Sequence, residues 1–224
     1  MCGRFTITRR DGNELAAELR VSAEAFVDYQ PRYNIAPTQP YFIVRLEYEN
    51  RKVESARWGL VNFAAKDSSQ AARCINARAE SIDARPAFRD AFRKRRCVVP
   101  ADGFLEWIGP KTARRPIWFH RGDGGLLLFA GVYEAWQKQP GLWETTFTII
   151  TTNANAAMAP YHDRMPVILA DARADDWMNP LCPDPRSLKP LLTPAAEDLL
   201  IATPVSQKIN SPKFDSPDLL EKAD

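Results

Sequence analysis

The chain of 224 residues has few of the residues that build metal centres, disulfide frameworks or membrane spans. Its two histidines have no close ligand spacing, so a structural zinc site is not expected. Its four cysteines form no Cys-x-x-Cys pair, which predicts reduced thiols and a cytoplasmic location. No apolar run approaches the ~20 residues of a membrane-spanning helix. The charged N-terminal segment has no apolar stretch behind it, unlike a signal peptide.

Short alternating strands separated by turns dominate the pattern of apolar and polar residues. We expect one domain over residues 1–224, of the α+β class, with a mostly antiparallel, curled sheet and short flanking helices. Strands are predicted within residues 1–10 and at 41–48, 52–58, 97–100, 104–108, 116–121, 126–133, 145–152 and 165–169. Helices are predicted at 11–27, 84–96, 172–178 and 194–202.

Basic residues are unevenly distributed, although the net charge is only +2. Residues 1–115 hold 21 basic and 14 acidic side chains and carry +7, whereas the remainder hold 9 and 14 and carry −5. Of the 30 basic residues, 21 are arginine, whose planar guanidinium suits phosphate. A basic half indicates a polyanionic partner, although an asymmetric solvated surface would give the same counts.

The second residue offers chemistry that no internal residue has, once Met1 is removed. Cysteine is small enough at this position for removal to be the usual outcome. The new terminus then carries an α-amine beside a thiol, and both are partly reactive near neutral pH. An aldehyde can form an imine with the amine, and the thiol can add to the imine carbon to close a thiazolidine ring. The alternative is a frayed terminus without a role.

Three further segments place polar residues where apolar ones would be expected. In Asn76-Ala77-Arg78-Ala79-Glu80, the polar side chains share one face of an extended chain, so Asn76 could orient an amine and Arg78 could bind phosphate. Glu106 lies between Leu105 and Trp107, where burial would raise its pKa and suit it to acid–base chemistry. His162 lies on a loop that enters a strand. Ordinary structural roles remain open for each: an exposed strand face, a buried ion pair and a structural histidine.

These segments resemble the SOS response-associated peptidase (SRAP) family, whose members shield abasic sites in single-stranded DNA. The similarity extends over nearly the whole chain. It is carried by Met-Cys-Gly-Arg-Phe, Arg-Tyr-Asn-Ile-Ala-Pro, Arg-Trp-Gly-Leu, Ile-Asn-Ala-Arg-Ala-Glu, Arg-Cys-Val-Val-Pro-Ala-Asp-Gly-Phe-Leu-Glu-Trp, Phe-Ala-Gly-Val-Tyr-Glu-Ala-Trp, His-Asp-Arg-Met-Pro-Val-Ile-Leu and the tail Ser-Pro-Lys-Phe-Asp-Ser-Pro. The resemblance implies a barrel-like antiparallel sheet, a positively charged groove and no cofactor, and we expect a monomer.

The resemblance also implies a role for each candidate residue. Cys2 would form a thiazolidine with the ring-opened aldehyde, and Asn76 would position the terminal amine or the sugar. Glu106 would act as the acid–base group in ring opening, imine chemistry and reversal. His162 would stabilise the opened sugar or the adjacent phosphate. The implied DNA contacts are phosphate binding by Arg4, Arg78 and Arg164, and the channel lining at Pro37 and Thr151.

One stretch departs from the family pattern. After Trp-Gly-Leu, the family usually has a proline and a tryptophan, and here these positions are Asn62 and Ala64. Phe63 could supply some stacking, which is worth ~1–3 kcal/mol per base. The departure concerns DNA affinity or strand geometry and leaves the covalent chemistry unaffected.

Other activities remain open from the residues alone. Removal of Met1 could be autoproteolytic or the work of a cellular aminopeptidase, and an imine could allow weak β-elimination at the abasic site. An N-terminal-nucleophile amidohydrolase also uses a terminal cysteine, and it would release ammonia from glutamine. A non-catalytic single-stranded DNA-binding module would bind intact and abasic strands equally well, whatever residue occupies position 2.

Overall fold

The structure is a computed structural model that describes residues 2–110 and 112–223, and it consists mainly of β-strands joined by short turns. The α-helices are α1 (Gly12–Leu19), α2 (Arg89–Lys94) and α3 (Asp171–Met178). The strands are β1 (Phe5–Ile7), β2 (Arg32–Ile35), β3 (Pro40–Glu47), β4 (Asn50–Trp58), β5 (Asn76–Arg78), β6 (Arg96–Ala101), β7 (Gly103–Ile108), β8 (Arg115–Arg121), β9 (Leu127–Gln139), β10 (Leu142–Asn153), β11 (Arg164–Pro166), β12 (Ile168–Leu169) and β13 (Leu200–Pro204).

A closed β-barrel lies at the centre of the molecule. Its strands pair in the cyclic order β10, β4, β3, β6, β9 and back to β10. These pairings are antiparallel except for β10 with β4, where Phe147 lies opposite Trp58. The two rings stack with centroids 6.4 Å apart. The predicted α+β class with a barrel-like antiparallel sheet is confirmed.

A second, antiparallel sheet packs beside the barrel in the order β13, β8, β7, β1, β2. Alternation along β7 gives this sheet two different faces. Phe104 belongs to the main core that includes the barrel, whereas Leu105 belongs to a smaller cluster with Ile209 and Leu219 from the C-terminal segment. Successive side chains of β7 therefore serve two separate environments.

The strand β1 joins the second sheet to the barrel through one aromatic side chain. Phe5 makes edge-to-face contacts with Tyr41 of β3 at 4.8 Å and with Trp58 of β4 at 5.0 Å between ring centroids. A longer contact of 6.3 Å reaches Phe129 of β9. Each such pair contributes about 0.5–1.5 kcal/mol beyond the area that it buries. Phe5 thereby fixes the strand that carries Cys2.

Asp102 holds the other end of β1 from the turn between β6 and β7. Its carboxylate accepts hydrogen bonds from the Thr6 hydroxyl (2.6 Å), the Thr8 backbone N–H (2.5 Å) and the Thr8 hydroxyl (2.7 Å). The next residue must be glycine, because a Cβ at Gly103 would lie 2.0 Å from Nε1 of Trp118. The turn at Asp102 and Gly103 therefore holds β1 by hydrogen bonds and leaves space for the Trp118 side chain.

The helix predicted at residues 11–27 is shorter in the structure. Asp11 caps α1 by accepting the Asn13 N–H, but the helix ends at Leu19 because Arg20 is left-handed with φ of 56°. A separate 3-10 helix, Ala23–Phe26, then begins at Ser22, whose hydroxyl accepts the Glu24 N–H. The serine cap competes with helix continuation, which the apolar stripe alone did not reveal.

The helix predicted at residues 84–96 is also too long, since α2 covers only Arg89–Lys94. Arg96 belongs to β6 and is buried. Its guanidinium donates to the backbone carbonyls of Trp177 at 2.8 Å and Phe92 at 2.8 Å, and also to those of Arg93 and Asn179. Neutral acceptors therefore satisfy this buried cation.

The helix predicted at residues 194–202 is wrong. Its last three residues, 200–202, begin β13, which pairs with β8 so that Ile201 lies opposite His120. Edge-strand pairing of this kind depends on a partner about 80 residues away in the chain, and helix propensity carries no information about it. Within the described part of the chain, none of the helices is long and apolar enough to span a bilayer.

Replacing Asp102 by alanine should destabilise the fold by about 3 kcal/mol, because three hydrogen bonds to a buried carboxylate are lost together. The measurement is the free energy of unfolding from urea titration. Asp28→Ala, which removes an exposed carboxylate, is the matched control and should unfold at the wild-type midpoint. Equal midpoints for both variants would mean that Asp102 does not hold β1.

Candidate active site

Asn76 reaches the N-terminal segment from an edge of the barrel. Its strand β5 pairs in parallel with β10, with Ile149 opposite Asn76 and Thr151 opposite Arg78. The Asn76 Nδ2 donates a 2.8 Å hydrogen bond to the backbone carbonyl of Cys2. Its Oδ1 is buried, and among the described residues no hydrogen-bond partner meets it. A buried acceptor of this kind is costly unless a ligand or solvent satisfies it.

Cys2 is completely buried three residues before β1 begins. Its Sγ lies 3.7 Å from the backbone carbonyl of Arg4, a weak contact for a thiol donor. Burial raises the pKa of the Cys2 thiol, and the nearby negative charge of Glu106 raises it further. The thiol is therefore protonated at neutral pH in this structure.

Glu106 projects from β7 on the same face as Phe104, towards Cys2. The side chain is 5% exposed, and burial raises the pKa of its carboxyl. Positive charge on the neighbouring His162 opposes that rise. A carboxyl held in this way can keep a proton at higher pH than an exposed glutamate, which suits a general acid.

His162 lies on the loop before β11. Its Nδ1 accepts the backbone N–H of Arg164 at 2.9 Å and also lies 2.8 Å from Oδ1 of Asp163. In the neutral ring, acceptance at Nδ1 places the proton on Nε2.

Arg164 is buried and pairs with groups inside the protein, although its Nε meets no hydrogen-bond partner among the described residues. Its guanidinium pairs bidentately with Glu80 at 2.7 and 2.9 Å and donates to the backbone carbonyl of Thr151 at 2.6 Å. The hydrogen bond from Arg164 lowers the pKa of Glu80. This geometry differs from the predicted phosphate contact, because the donor fork is directed at Glu80. Arg164 instead braces β10, β11 and the segment after β5.

Two clefts adjoin the neighbours of Cys2: Gly3 lines one, and Asn76, which binds the Cys2 carbonyl, lines the other. The first, which we call the Trp107 cleft, has a volume of about 510 Å³ and is lined by Gly3, Arg4, Pro37, Trp107, Arg114 and Asn210, among others. The second, which we call the Arg78 cleft, has a volume of about 560 Å³ and is lined by residues that include Arg73, Cys74, Asn76, Arg78, Arg85 and Thr151. Predicted DNA contacts thus divide between the two clefts.

Comparison with known proteins identifies the family of the chain. The family model described as SOS response associated peptidase (SRAP) matches residues 1–212. The chain belongs to this family. Among curated relatives, the abasic site processing protein YoqW of Bacillus subtilis is 39% identical over 226 residues, covering 99% of both chains. YedK of Escherichia coli, another abasic site processing protein, is 29% identical over 188 residues, covering 80% of this chain and 79% of that one.

Solved structures support the same fold. A crystal structure of a protein from Bacteroides thetaiotaomicron superposes with a TM-score of 0.84 at 25% identity, covering 98% of this chain and 99% of that chain. A protein from Bordetella bronchiseptica gives a TM-score of 0.75 at 24% identity, covering 92% of this chain and 100% of that one. The barrel and its flanking sheet are thus an SRAP arrangement.

Arg4 of this SRAP protein is a cation held by neutral groups. Its Nη1 donates to Oδ1 of Asn34 at 2.5 Å and to the backbone carbonyl of Ile209 at 3.0 Å. Its Nη2 lies 3.4 Å from the backbone carbonyl of Asn210, and Cζ lies 5.7 Å from the ring centroid of Trp107. Among the described residues, no carboxylate forms an ion pair with it. Its charge therefore remains uncompensated in the cleft wall.

Ion pairing divides the arginines of the chain into two groups. In the described part of the chain, twelve of the 21 pair with a carboxylate: Arg9, Arg20, Arg32, Arg45, Arg51, Arg57, Arg89, Arg95, Arg121, Arg164, Arg173 and Arg186. Within the described ranges, Arg73, Arg78 and Arg85 of the Arg78 cleft have no such partner, and Arg114 of the Trp107 cleft has none either. Unpaired arginines thus line both clefts.

Sequence reasoning did not identify several lining residues. Trp107 was noted only as the neighbour of Glu106, and Arg73, Arg85 and Arg114 were counted only in the basic half. The arginine excess in residues 1–115 was their signal, but counting could not separate paired from unpaired side chains. Among residues 2–110 and 112–223, no group of three or more histidine, cysteine, aspartate or glutamate side chains could hold a metal ion.

The stretch that departs from the family pattern forms an irregular loop. The Asn62 Oδ1 accepts the backbone N–H of Ala64 at 3.0 Å, so the asparagine shapes the turn. Phe63 is 55% exposed on this loop. An exposed ring is accessible for base stacking. That Phe63 supplies the stacking of the family's tryptophan remains a prediction.

Replacing Glu106 by glutamine should raise the thermal unfolding temperature above neutral pH. A carboxyl whose pKa is raised on folding binds its proton more tightly in the folded state, so ionisation costs stability as pH rises from the ordinary carboxyl range through the raised pKa. Glutamine never ionises, and the advantage should vanish below the ordinary range. Unfolding temperatures across pH, with the surface variant Glu197→Gln as control, test this. A pH-independent loss of stability in Glu106→Gln would contradict it.

Proposed function

We propose that this SRAP protein recognises abasic sites in single-stranded DNA and becomes covalently linked to them through Cys2 after removal of Met1. The supporting observation is the meeting of a buried Cys2, the Asn76 amide and the Glu106 carboxyl next to two clefts lined by unpaired arginines. Relatives named as abasic site processing proteins support the same assignment.

The reaction begins with the aldehyde form of the abasic sugar. The Cys2 α-amine adds to C1′, and loss of the hydroxyl as water gives an imine. Glu106 donates the proton that this leaving hydroxyl needs. The Cys2 thiol then adds across the C=N bond, with sulfur bonded to C1′ and the thiol proton passing to nitrogen. One water is released overall, and the product is a thiazolidine.

The neighbouring side chains orient the reactants in this proposal. Asn76 fixes the Cys2 carbonyl through Nδ2, and its buried Oδ1 can accept a hydrogen bond from the terminal amine or the sugar. His162, whose charge influences Glu106, donates from Nε2 to the opened sugar hydroxyl or the adjacent phosphate. Reversal follows the same path backwards: the proton on nitrogen returns to sulfur as the ring opens, and the Glu106 carboxylate, as a base, takes a proton from the water that adds to the imine.

In this proposal, the single-stranded DNA runs along the two clefts. Phosphates contact Arg4 on one side and Arg78 on the other, with Arg73, Arg85 and Arg114 adding charge. Pro37 and Thr151 line the walls, and Trp107 and Phe63 offer aromatic faces for bases. Arg164 holds Thr151 and the loop of His162 in place and does not contact phosphate.

Lesser activities follow from the same groups. Met1 is removed either by the protein itself or by an aminopeptidase, and the imine allows slow β-elimination at the abasic site. We further propose that the protein acts as a monomer without a cofactor. Its place of action is the cytoplasm, on the nucleoid when DNA is damaged.

A denaturing gel with an oligonucleotide that contains one abasic site tests the covalent step. Wild-type protein with a verified Cys2 terminus should give a heat-stable shifted band. Cys2→Ala should give none, because alanine keeps the α-amine but lacks the sulfur that closes the ring, and an imine alone hydrolyses on heating. Glu106→Gln should slow the reaction about 100-fold or more, the contribution of one positioned acid–base group. Asn76→Ala should also slow it, because the Cys2 backbone carbonyl loses its hydrogen bond. Lys138→Ala, distant in the β9–β10 hairpin, is the control.

The alternative functions, an amidohydrolase and a non-catalytic DNA-binding module, predict different outcomes for the same protein samples. Absence of an adduct with the correct terminus would overturn the covalent proposal. Ammonia release from glutamine would point to an amidohydrolase. Equal binding of intact and abasic strands by wild type and Cys2→Ala would point to a non-catalytic DNA-binding module.

Removing the unpaired arginines of the Arg78 cleft should weaken DNA binding in a salt-dependent manner. The combined variant Arg73→Ala, Arg78→Ala and Arg85→Ala should lose about tenfold or more in affinity near physiological salt. The slope of log K against log salt should fall by up to ~2, because each lost phosphate contact contributes ~0.7 on single strands. Fluorescence anisotropy measures both quantities.

The matched control for that experiment is Arg173→Ala. This arginine is exposed on α3 and pairs with Asp176 at 2.9 Å, so its charge is already compensated. An equal loss of affinity in the control would mean that total charge, and not the cleft, attracts DNA.

A further inference from the structure

The C-terminal segment is tied across the outer face of the second sheet. We call residues 207–215 the C-terminal strap. Asn34, completely buried in β2, shares its Nδ2 donors among the backbone carbonyls of Ile209, Ser211 and Phe214 at 3.2, 3.0 and 2.9 Å. One side chain thus fixes three points of the strap.

Asp215 fastens the end of the strap to the same strand. Its carboxylate accepts the backbone N–H groups of Tyr33 at 2.5 Å and Asn34 at 3.1 Å, and it also pairs with Arg32. Ile209 adds apolar anchoring, since it is completely buried against the outer face. These contacts hold the strap without any contribution from the Asn210 side chain.

The Asn210 side chain is directed instead at the Trp107 cleft. Its Oδ1 accepts the indole Nε1–H of Trp107 at 2.6 Å, and its Nδ2 lies 3.5 Å from the backbone carbonyl of Arg114. Its own backbone carbonyl lies 3.4 Å from Nη2 of Arg4. Asn210 therefore meets three parts of the cleft wall, from β1, β7 and the turn before β8.

The chemistry of these contacts suits a binding wall. Backbone carbonyls hold the Arg4 guanidinium without cancelling its charge, whereas a carboxylate in their place would compete with phosphate. The hydrogen bond to Nε1 fixes the rotation of the indole, and Arg4 lies within cation–π distance of its ring. A base that stacks there meets a ring already oriented, which reduces the entropy lost on binding.

We propose that the C-terminal strap is part of the DNA-binding wall and that Asn210 is a positioning residue, which acts on the strand by fixing Trp107. The inference rests on the proposed function. It extends the site to a segment about 100 residues distant in sequence from Glu106 and Trp107. The competing interpretation is that the strap only stabilises the fold.

A double-mutant cycle separates the two interpretations. The variants are Asn210→Ala, Trp107→Phe and their combination, since phenylalanine keeps an aromatic wall but lacks the N–H. Ser211→Ala is the matched control on the strap, because the Ser211 hydroxyl contacts only the Lys213 N–H among the described residues. Cross-linking rates are measured against the concentration of an abasic oligonucleotide, and thermal unfolding is recorded for every variant.

Asn210→Ala should raise the half-saturating DNA concentration about fivefold, the effect of one net hydrogen bond. The rate at saturation should stay within twofold of wild type, because Cys2, Asn76 and Glu106 are untouched. In the Trp107→Phe background, the same substitution should have no further effect. The ¹⁵N–¹H indole resonance of Trp107, assigned by its loss in Trp107→Phe, should shift in Asn210→Ala without DNA.

Two results would overturn the inference. The first is wild-type half-saturation in Asn210→Ala, and the second is an equal loss in the Trp107→Phe background, which would mean that Asn210 does not act through Trp107. A loss of affinity that only accompanies a lower unfolding temperature would support the purely structural interpretation. Failure of the wild-type protein to cross-link at all would instead refute the proposed function, and the indole resonance would still report on the positioning contact.

Discussion

The fixed position of β1 is the constraint on which the candidate site depends. Phe5 packs against aromatic rings from the barrel, and Asp102, in the turn before β7, accepts hydrogen bonds from Thr6 and Thr8. Chain termini usually retain conformational freedom, and ordering one costs entropy. Here, the contacts of Phe5 and Asp102 offset that entropy cost, so Cys2 is buried beside Asn76 and Glu106.

The second sheet places the carboxyl of the proposed reaction and the aromatic wall of the proposed DNA-binding cleft on opposite faces. Residues of β7 alternate between its two faces, so Glu106 is directed at the main core and Cys2, whereas Trp107 lies with the C-terminal segment. Burial tunes the carboxyl on the inner face through desolvation. The outer face keeps an uncompensated guanidinium near solvent, where an anion can reach it. The adjacent residues Glu106 and Trp107 therefore lie in different electrostatic environments: Glu106 in a desolvated interior, and Trp107 beside an uncompensated guanidinium near solvent.

Charge compensation decides which arginines can serve a polyanion. Carboxylate partners compensate the arginines that brace strands and helices, such as Arg51 with Asp175 and Arg164 with Glu80. Arginines along the clefts have neutral neighbours or solvent. A guanidinium already paired would have to break its ion pair before binding phosphate, so the unpaired ones contribute most of the attraction.

The sequence by itself determined the family, the α+β class, most strands and the candidate residues Cys2, Asn76, Glu106 and His162, because alternation, turn residues and motif order are local signals. Tertiary structure alone decided the rest. It buried Arg96, ended α1 at a left-handed Arg20, and turned the predicted helix at 194–202 into an edge strand. It also directed Arg164 at Glu80 and brought Asn210 to Trp107. Each of these outcomes depends on a partner distant in the chain or on local capping that competes with periodicity.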